Sequence, residues 1–154
     1  MNPTLILVRH AAVQIDTAVS SHQWQLSADG RFACYALAQK IVRYQPSQVF
    51  TSYEAKAAVT GQIIADRLAI PCASVAGLQE HNRQGVPYFG DKAAFEAAVA
   101  NLFAHPNELV FGQETAVQAL NRFETAVTTL SQTHAKQTLL LTSHGTVMTL
   151  FIQH

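Results

Sequence analysis

Two histidines follow apolar runs in the same way. Thr4-Leu5-Ile6-Leu7-Val8 leads into Arg9-His10-Ala11, and Thr138-Leu139-Leu140-Leu141-Thr142 leads into Ser143-His144-Gly145. A neutral imidazole at a strand end can act as nucleophile, general base or metal ligand. The arginine beside His10 supplies a planar fork for an anion. The small residue after His144 lets the backbone amides of a helix start approach an oxyanion. Two more side chains could share that chemistry. Lys56 lies about one turn into a helix that follows Thr51-Ser52, where a lysine binds phosphate as a point charge. Glu80, in Leu78-Gln79-Glu80-His81, is a proton donor if its pocket raises its pKa. Singly, each has a plainer reading: packed histidines, a solvated helix lysine, a loop carboxylate. Their common position just past strand ends is what joins them.

The elements that must position them follow from pattern. Continuous apolar runs of this length read as strands buried on both faces of a parallel sheet. Ligands of such sheets collect at the carboxyl ends of the strands, so histidines far apart in sequence can meet in one pocket. After strand 4–8 comes a polar loop with a lone Trp24. Ser27 and Asp29 suit a helix start, and that helix is expected to run to about Tyr44 with Phe32, Tyr35 and Ile41 buried. Val49-Phe50 forms a short strand. Ser52 is placed to cap the next helix, which turns Ile64 and Leu68 inward and stops before Pro71. Strand-like residues 72–75 and an irregular polar segment 77–87 follow. Residues 91–104 are helical, with Phe95, Val99 and Leu102 at helical spacing. A long helix covers about 113–133, with Ala116, Leu120, Phe123, Val127 and Leu130 on one face. Strand 138–142 and a helix from Gly145 complete the chain. Strands alternating with helices predict an α/β fold: a three-layer sandwich with a mostly parallel central sheet and helices on both faces.

Composition bounds the function. A chain of 154 residues suits a single domain over 1–154, with roughly 81–112 as a small cap or insertion. Hydrophobic residues make up 49% and charged residues 13%, which argues against disorder. The formal net charge is zero, so no global field recruits nucleic acid or an anionic membrane. The start of the chain lacks a basic leader, and no run reaches membrane-spanning length. Cys34 and Cys72 make neither a metal pair nor a disulfide framework, and fit a cytoplasmic protein with free thiols.

The ordered set of motifs resembles the histidine phosphatase superfamily, the phosphoglycerate mutase-like fold. The family's strand-Arg-His-Gly is matched by Leu7-Val8-Arg9-His10-Ala11. Its Leu-Thr/Ser-x-x-Gly is matched by Leu26-Ser27-Ala28-Asp29-Gly30. Its Ser-Ser-Pro-x-x-Arg-Ala-x-x-Thr-Ala is followed at the same spacing by Thr51-Ser52-Tyr53-Glu54-Ala55-Lys56-Ala57-Ala58-Val59-Thr60-Gly61. Leu78-Gln79-Glu80 matches Leu-x-Glu, Gly112-Gln113-Glu114-Thr115 echoes a Gly-Glu-Ser element, and Ser143-His144-Gly145 matches the final Ser-His-Gly. The resemblance spans nearly the whole chain. It implies a phosphomonoester hydrolase in which His10 forms a phosphohistidine. Arg9, Lys56 and His144 would hold the phosphoryl oxygens, and Glu80 would pass the proton. It implies neither cofactor nor metal, and a small phosphorylated molecule as partner. Ala11 stands where the family has glycine, and Lys56 where it has arginine, with Arg83 or Arg31 as the residues that would compensate.

Three other readings compete. A phosphoglycerate mutase-type phosphotransferase would use the same site, though usually with a longer chain. A non-catalytic phosphate-binding member of the fold would keep the pocket without turnover. A metal site of His10, His144 and Glu80 has suitable ligand types, but Arg9 and Lys56 would repel the cation. The last helix carries Val147, Met148, Leu150, Phe151 and Ile152. This apolar load predicts either a natural chain continuing past His154 or a homodimer contact there.

Overall fold

A computed structural model describes residues 3–154. Four strands, β1 (Thr4–Arg9), β2 (Gln48–Thr51), β3 (Cys72–Ser74) and β4 (Thr138–Ser143), form one sheet in the order β1-β4-β2-β3. Every pairing is parallel, and the register sets Arg9 beside Ser143 and Thr51 beside Thr142. The carboxyl ends of β1, β4 and β2 therefore finish side by side. Leu139, Leu140 and Leu141 in the central β4 are all fully buried, as a strand covered on both faces requires.

The helices are α1 (Ala28–Ile41), α2 (Ala55–Leu68), α3 (Lys92–Ala104), α4 (Ala116–Thr133) and α5 (Gly145–Gln153). Alternation along the strands sends Val8, Val49 and Leu140 to one face, where α1 and α2 cover them with Cys34, Ala38, Ile41, Ile64 and Ala65. Phe50, Leu139 and Leu141 face the other side, against Phe123, Val127 and Leu130 of α4 and Val147 and Leu150 of α5. The α/β sandwich with a parallel central sheet is thus as expected. No helix of the described residues is long and apolar enough to cross a membrane.

Several local expectations need correction. Helix α1 ends at Ile41, and a 3-10 turn, Val42–Tyr44, carries the chain onward. Its buried face is Gly30, Cys34, Ala38 and Ile41, while Phe32 is 76% and Tyr35 47% exposed. The helix lies so close to the chain after β1 that a methyl group on Gly30 would come within 2.1 Å of the Ala12 carbonyl oxygen. That approach selects small residues for the inner face and turns the aromatics outward. Helix α4 begins at Ala116, three residues later than its pattern suggested. Thr115 accepts from the Gln118 amide while the Gln118 side chain accepts from the Thr115 amide, a reciprocal cap that fixes the start there. Leu120 and Leu68 are half-buried rather than buried. The apolar residues of α5 are largely covered: Val147, Met148 and Leu150 are buried, and Phe151 packs with its ring 5.3 Å from that of Phe123. Only Ile152 of that group stands exposed. The load is spent on α4 and the sheet rather than left open.

Candidate active site

The strand register does most of the positioning. His10 follows β1 and its amide donates to the Ser143 carbonyl at 2.9 Å, while His144 follows β4. The two rings lie with centroids 5.3 Å apart. Arg9, His10, Lys56, Glu80 and Arg83 line one cavity at this edge, together with Gly145 and Thr146. His144 lies behind His10, with no exposed surface. Five residues read from the sequence therefore converge, joined by Arg83. Arg31 is exposed on α1 and outside the lining.

His10 is held by backbone. Its Nδ1 donates to the carbonyl of Ala11 at 2.8 Å, because a carbonyl can only accept. With that proton on Nδ1, a neutral ring has Nε2 unprotonated. The Ala11 amide in turn donates to Thr60 Oγ1 of α2 at 3.1 Å, and the Thr60 hydroxyl donates to the Lys56 carbonyl at 2.7 Å. The family's glycine position is thus filled by an alanine whose backbone groups are both engaged. Burial lowers the His10 pKa, and the charges of Lys56 and Arg9 lower it further against the opposing bond to Ala11 and the Glu80 charge, so the neutral ring is favoured.

His144 shares a 2.8 Å hydrogen bond between its Nε2 and the Ser52 hydroxyl. Its Nδ1 is buried and has no hydrogen-bond partner among the described residues. Burial holds its pKa down at about 4, helped by the neighbouring Lys56 and His10 against the pull of Glu54 and Glu80. Gly145 follows beside Arg9, where a methyl group would make ordinary contact with Arg9 Nε at 3.4 Å.

Lys56 does not reach loosely into the pocket. Its ammonium donates to the Ser21 carbonyl at 2.6 Å and lies 2.9 Å from Glu54 Oε2, with only 5% of the residue exposed. Glu54, not Ser52, is the N-cap residue of α2, and the Ser52 hydroxyl accepts from the Glu54 amide at 3.1 Å while holding His144. A serine expected to cap a helix therefore serves the site instead.

Glu80 is the most heavily tied group. Its carboxylate accepts from the amides of His81 (2.9 Å), Thr146 (3.0 Å) and Val147 (2.9 Å), the latter two in the first turn of α5. Arg83 lies 3.8 Å away and donates to the Thr146 hydroxyl. Burial alone would raise the pKa. The Arg83 and His144 charges and the amide bonds outweigh it and bring Glu80 down to about 2. In the unliganded site the expected proton donor is therefore an ionised carboxylate.

The loop carrying Glu80 is clamped from α4. Arg122 donates to the carbonyls of Gly77 (2.9 Å), Gln79 (3.0 Å) and Glu80 (3.1 Å) and pairs with Glu114 at 2.6 Å. Glu114 also accepts from the Asn82 amide at 2.8 Å, and its carbonyl accepts from His81 Nε2 at 2.7 Å. Glu54, Thr60 and Arg122 carry no role in the sequence reading, and Ser52 only that of a helix cap. No pattern marks Arg122, which stands two residues before Glu124 on α4; for Glu54 the signal is a charge two residues before Lys56. Among the described residues no group of three or more His, Cys, Asp or Glu is arranged to hold a metal ion.

Two adjacent strands of a parallel sheet thus each end at a histidine, flanked by cations and by the carboxylates of Glu54 and Glu80. The chain belongs to the histidine phosphatase superfamily, branch 1, whose family model matches residues 5–154. Among solved structures, a mycobacterial glucosyl-3-phosphoglycerate phosphatase superposes with a TM-score of 0.80 at 18% identity, covering 99% of this chain and 78% of that one. YhfR of Bacillus stearothermophilus gives 0.77 at 20% identity, over 97% and 78%. A phosphoserine phosphatase from Entamoeba histolytica gives 0.75 at 17%, over 96% and 77%. Among curated proteins no sequence matches this one.

Proposed function

We propose that the protein hydrolyses a small phosphomonoester through a phosphohistidine on His10. The observation that carries this reading is the His10 tautomer: Nδ1 donates to Ala11, leaving Nε2 free at a cavity lined by Arg9, Lys56 and Arg83. In the first step Nε2 attacks phosphorus, an N–P bond forms, and the ester P–O bond breaks. In the second, water attacks phosphorus and the N–P bond breaks, giving phosphate and free His10. Arg9, Lys56, Arg83 and the buried Nδ1 of His144 are the groups offered to the phosphoryl oxygens.

Glu80 carries the proton. Bound phosphate brings negative charge beside a carboxylate that Arg83 now holds ionised. That charge competes for the cation and raises the Glu80 pKa on binding. A substrate entering as the monoanion gives its proton to Glu80. Glu80 then passes it to the leaving oxygen, takes one from the attacking water and returns that one to the departing phosphate, which leaves as the monoanion. The cationic lining supports a reaction without metal, so chelator should leave the rate unchanged. Residues 81–112 act as a cap beside the cleft, and the free Cys34 and Cys72 suit a cytoplasmic setting.

The test is a panel of small phosphomonoesters, given to the wild type and to His10→Ala, with acid-quenched samples analysed for N-phosphorylated His10. Turnover with labelled His10, both lost in the variant, is the expected result. Turnover that survives in His10→Ala ends the covalent reading.

A further inference from the structure

Beyond the phosphate end, the cavity changes character. It has a volume of about 480 Å³, and away from Arg9, His10 and Glu80 its walls are mainly hydrocarbon and aromatic, with Ser20, Asp91, Lys92 and Thr149 among them. Helix α3 presents Phe95, Val99 and Phe103 to it, at positions four apart on one face. The sequence pattern sets Phe95, Val99 and Leu102 at helical spacing. Leu102 alone is fully buried, and the other two are half-buried at the cleft. Across from α3, Trp24 lies with its ring 6.1 Å from Tyr88, and Phe89 stands edge-on to Phe95 at 5.7 Å. The Arg83 guanidinium sits 4.9 Å over the Phe95 ring, so one arginine joins the phosphate end to the apolar end.

Several of the polar groups around this cleft are engaged within the protein. Asp91 accepts from the Ala94 amide as the cap of α3, Lys92 pairs with Glu96 at 3.4 Å, and Ser20 bonds His22 at 3.0 Å. Trp24 Nε1 donates to the Asp16 carbonyl at 2.8 Å, leaving its ring face for contact. Such a wall offers little to the hydroxyls of a sugar or to a second carboxylate, and leaving their hydrogen bonds unmade would be costly. It offers dispersion and hydrophobic contact to a ring or branched chain.

We infer that the leaving group of the substrate is apolar: an aromatic or branched aliphatic alcohol seated between Trp24, Tyr88 and the Phe95–Val99–Phe103 face of α3, with its phosphate at His10. The inference rests on the phosphatase reading for the placement of phosphate, but not for the nature of the cleft. Trp24 is the single tryptophan of the chain, so its fluorescence reports binding without turnover.

The test titrates the intact protein with two hydrolysis-resistant phosphonates of similar size, naphthylmethylphosphonate and a glucose-derived phosphonate, following Trp24 emission. The corresponding phosphate esters are assayed for hydrolysis in parallel. The expected result is at least about tenfold tighter binding of the naphthyl compound, with the difference lost in Phe95→Ser and in Val99→Asp. Equal affinities, or a preference that survives in both variants, would overturn the inference whatever the hydrolysis assay gives. Preferential binding with no hydrolysis of either ester would uphold the apolar site and end the phosphatase reading instead.

Discussion

The Glu54 carboxylate bridges Lys56 and His144: one oxygen lies 2.9 Å from the Lys56 ammonium, the other 3.5 Å from His144 Nε2. It also accepts from the Glu80 amide at 2.9 Å. One acidic residue thus touches the cation, the buried histidine and the backbone of the proton carrier, and it sets an anion beside the place proposed for phosphate. Removing its charge while keeping an acceptor should strengthen anion binding. Glu54→Gln is expected to bind inorganic phosphate roughly fivefold tighter, about 1 kcal/mol, measured as competitive inhibition. Unchanged or weaker phosphate binding would show that Glu54 acts chiefly by orienting Lys56.

The pair is nearly dry, so breaking it from one side should cost stability. Lys56→Met leaves Glu54 buried without its cation, and a loss of about 3 kcal/mol in denaturant unfolding is expected. The double variant Lys56→Met with Glu54→Leu should recover at least half of that. A single variant as stable as the wild type would mean that water reaches Glu54 freely.

Lys56→Arg separates two views of this position. Arginine would restore the family's planar fork, but the ammonium now fits between the Ser21 carbonyl and Glu54. If phosphoryl contact dominates, Lys56→Arg raises turnover of an aryl phosphate. A fall to the level of Lys56→Ala would show that the pocket has closed around lysine.

Stability should fall as the solution is acidified through the histidine range. The folded His144 pKa is about 4 against an ordinary 6.5, so below pH 6.5 the unfolded chain takes up a proton that the folded one refuses. The stabilisation is complete above 6.5 and is lost progressively down to about 4, reaching roughly 3 kcal/mol. His10 and His81 shift in the same direction. Glu80, lowered to about 2, adds a loss that begins only below its ordinary value of 4.5. Melting temperature measured against pH should drop between 6.5 and 4, and less steeply in His144→Gln. A flat profile over that interval would contradict a neutral buried His144.

Arg122 should act on the site without touching it. Arg122→Met removes three donors to the loop that carries Glu80, so we expect kcat to fall about tenfold or more, with inorganic phosphate affinity changed less than threefold. Equal losses in both would make Arg122 a general stabiliser only.

What was legible in the sequence was what depends on period and strand ends. The sheet, the positions of His10 and His144, and the convergence of Lys56 and Glu80 follow from apolar runs and where they stop. Burial on α1 was misread because Phe32 and Tyr35 weigh more on a hydrophobic scale than Gly30 and Ala38, while the real constraint is the distance between backbones at Gly30 and Ala12. The spacing of Phe95 and Val99 left their surroundings open, because a helical stripe looks the same whether it faces a core or a cleft. The charge state of Glu80 depends on amides from α5 and on Arg83, partners that only the fold brings near it.

The bond from His10 Nδ1 to the Ala11 carbonyl bears on how freely this sequence can drift. Its acceptor belongs to the main chain, so no point substitution at position 11 deletes it, provided the local path of the chain is kept. Selection on the side chain there is then relaxed to what fits beside α2. An alanine can therefore stand where the resembled motif has glycine, with the proton inventory of the imidazole unchanged.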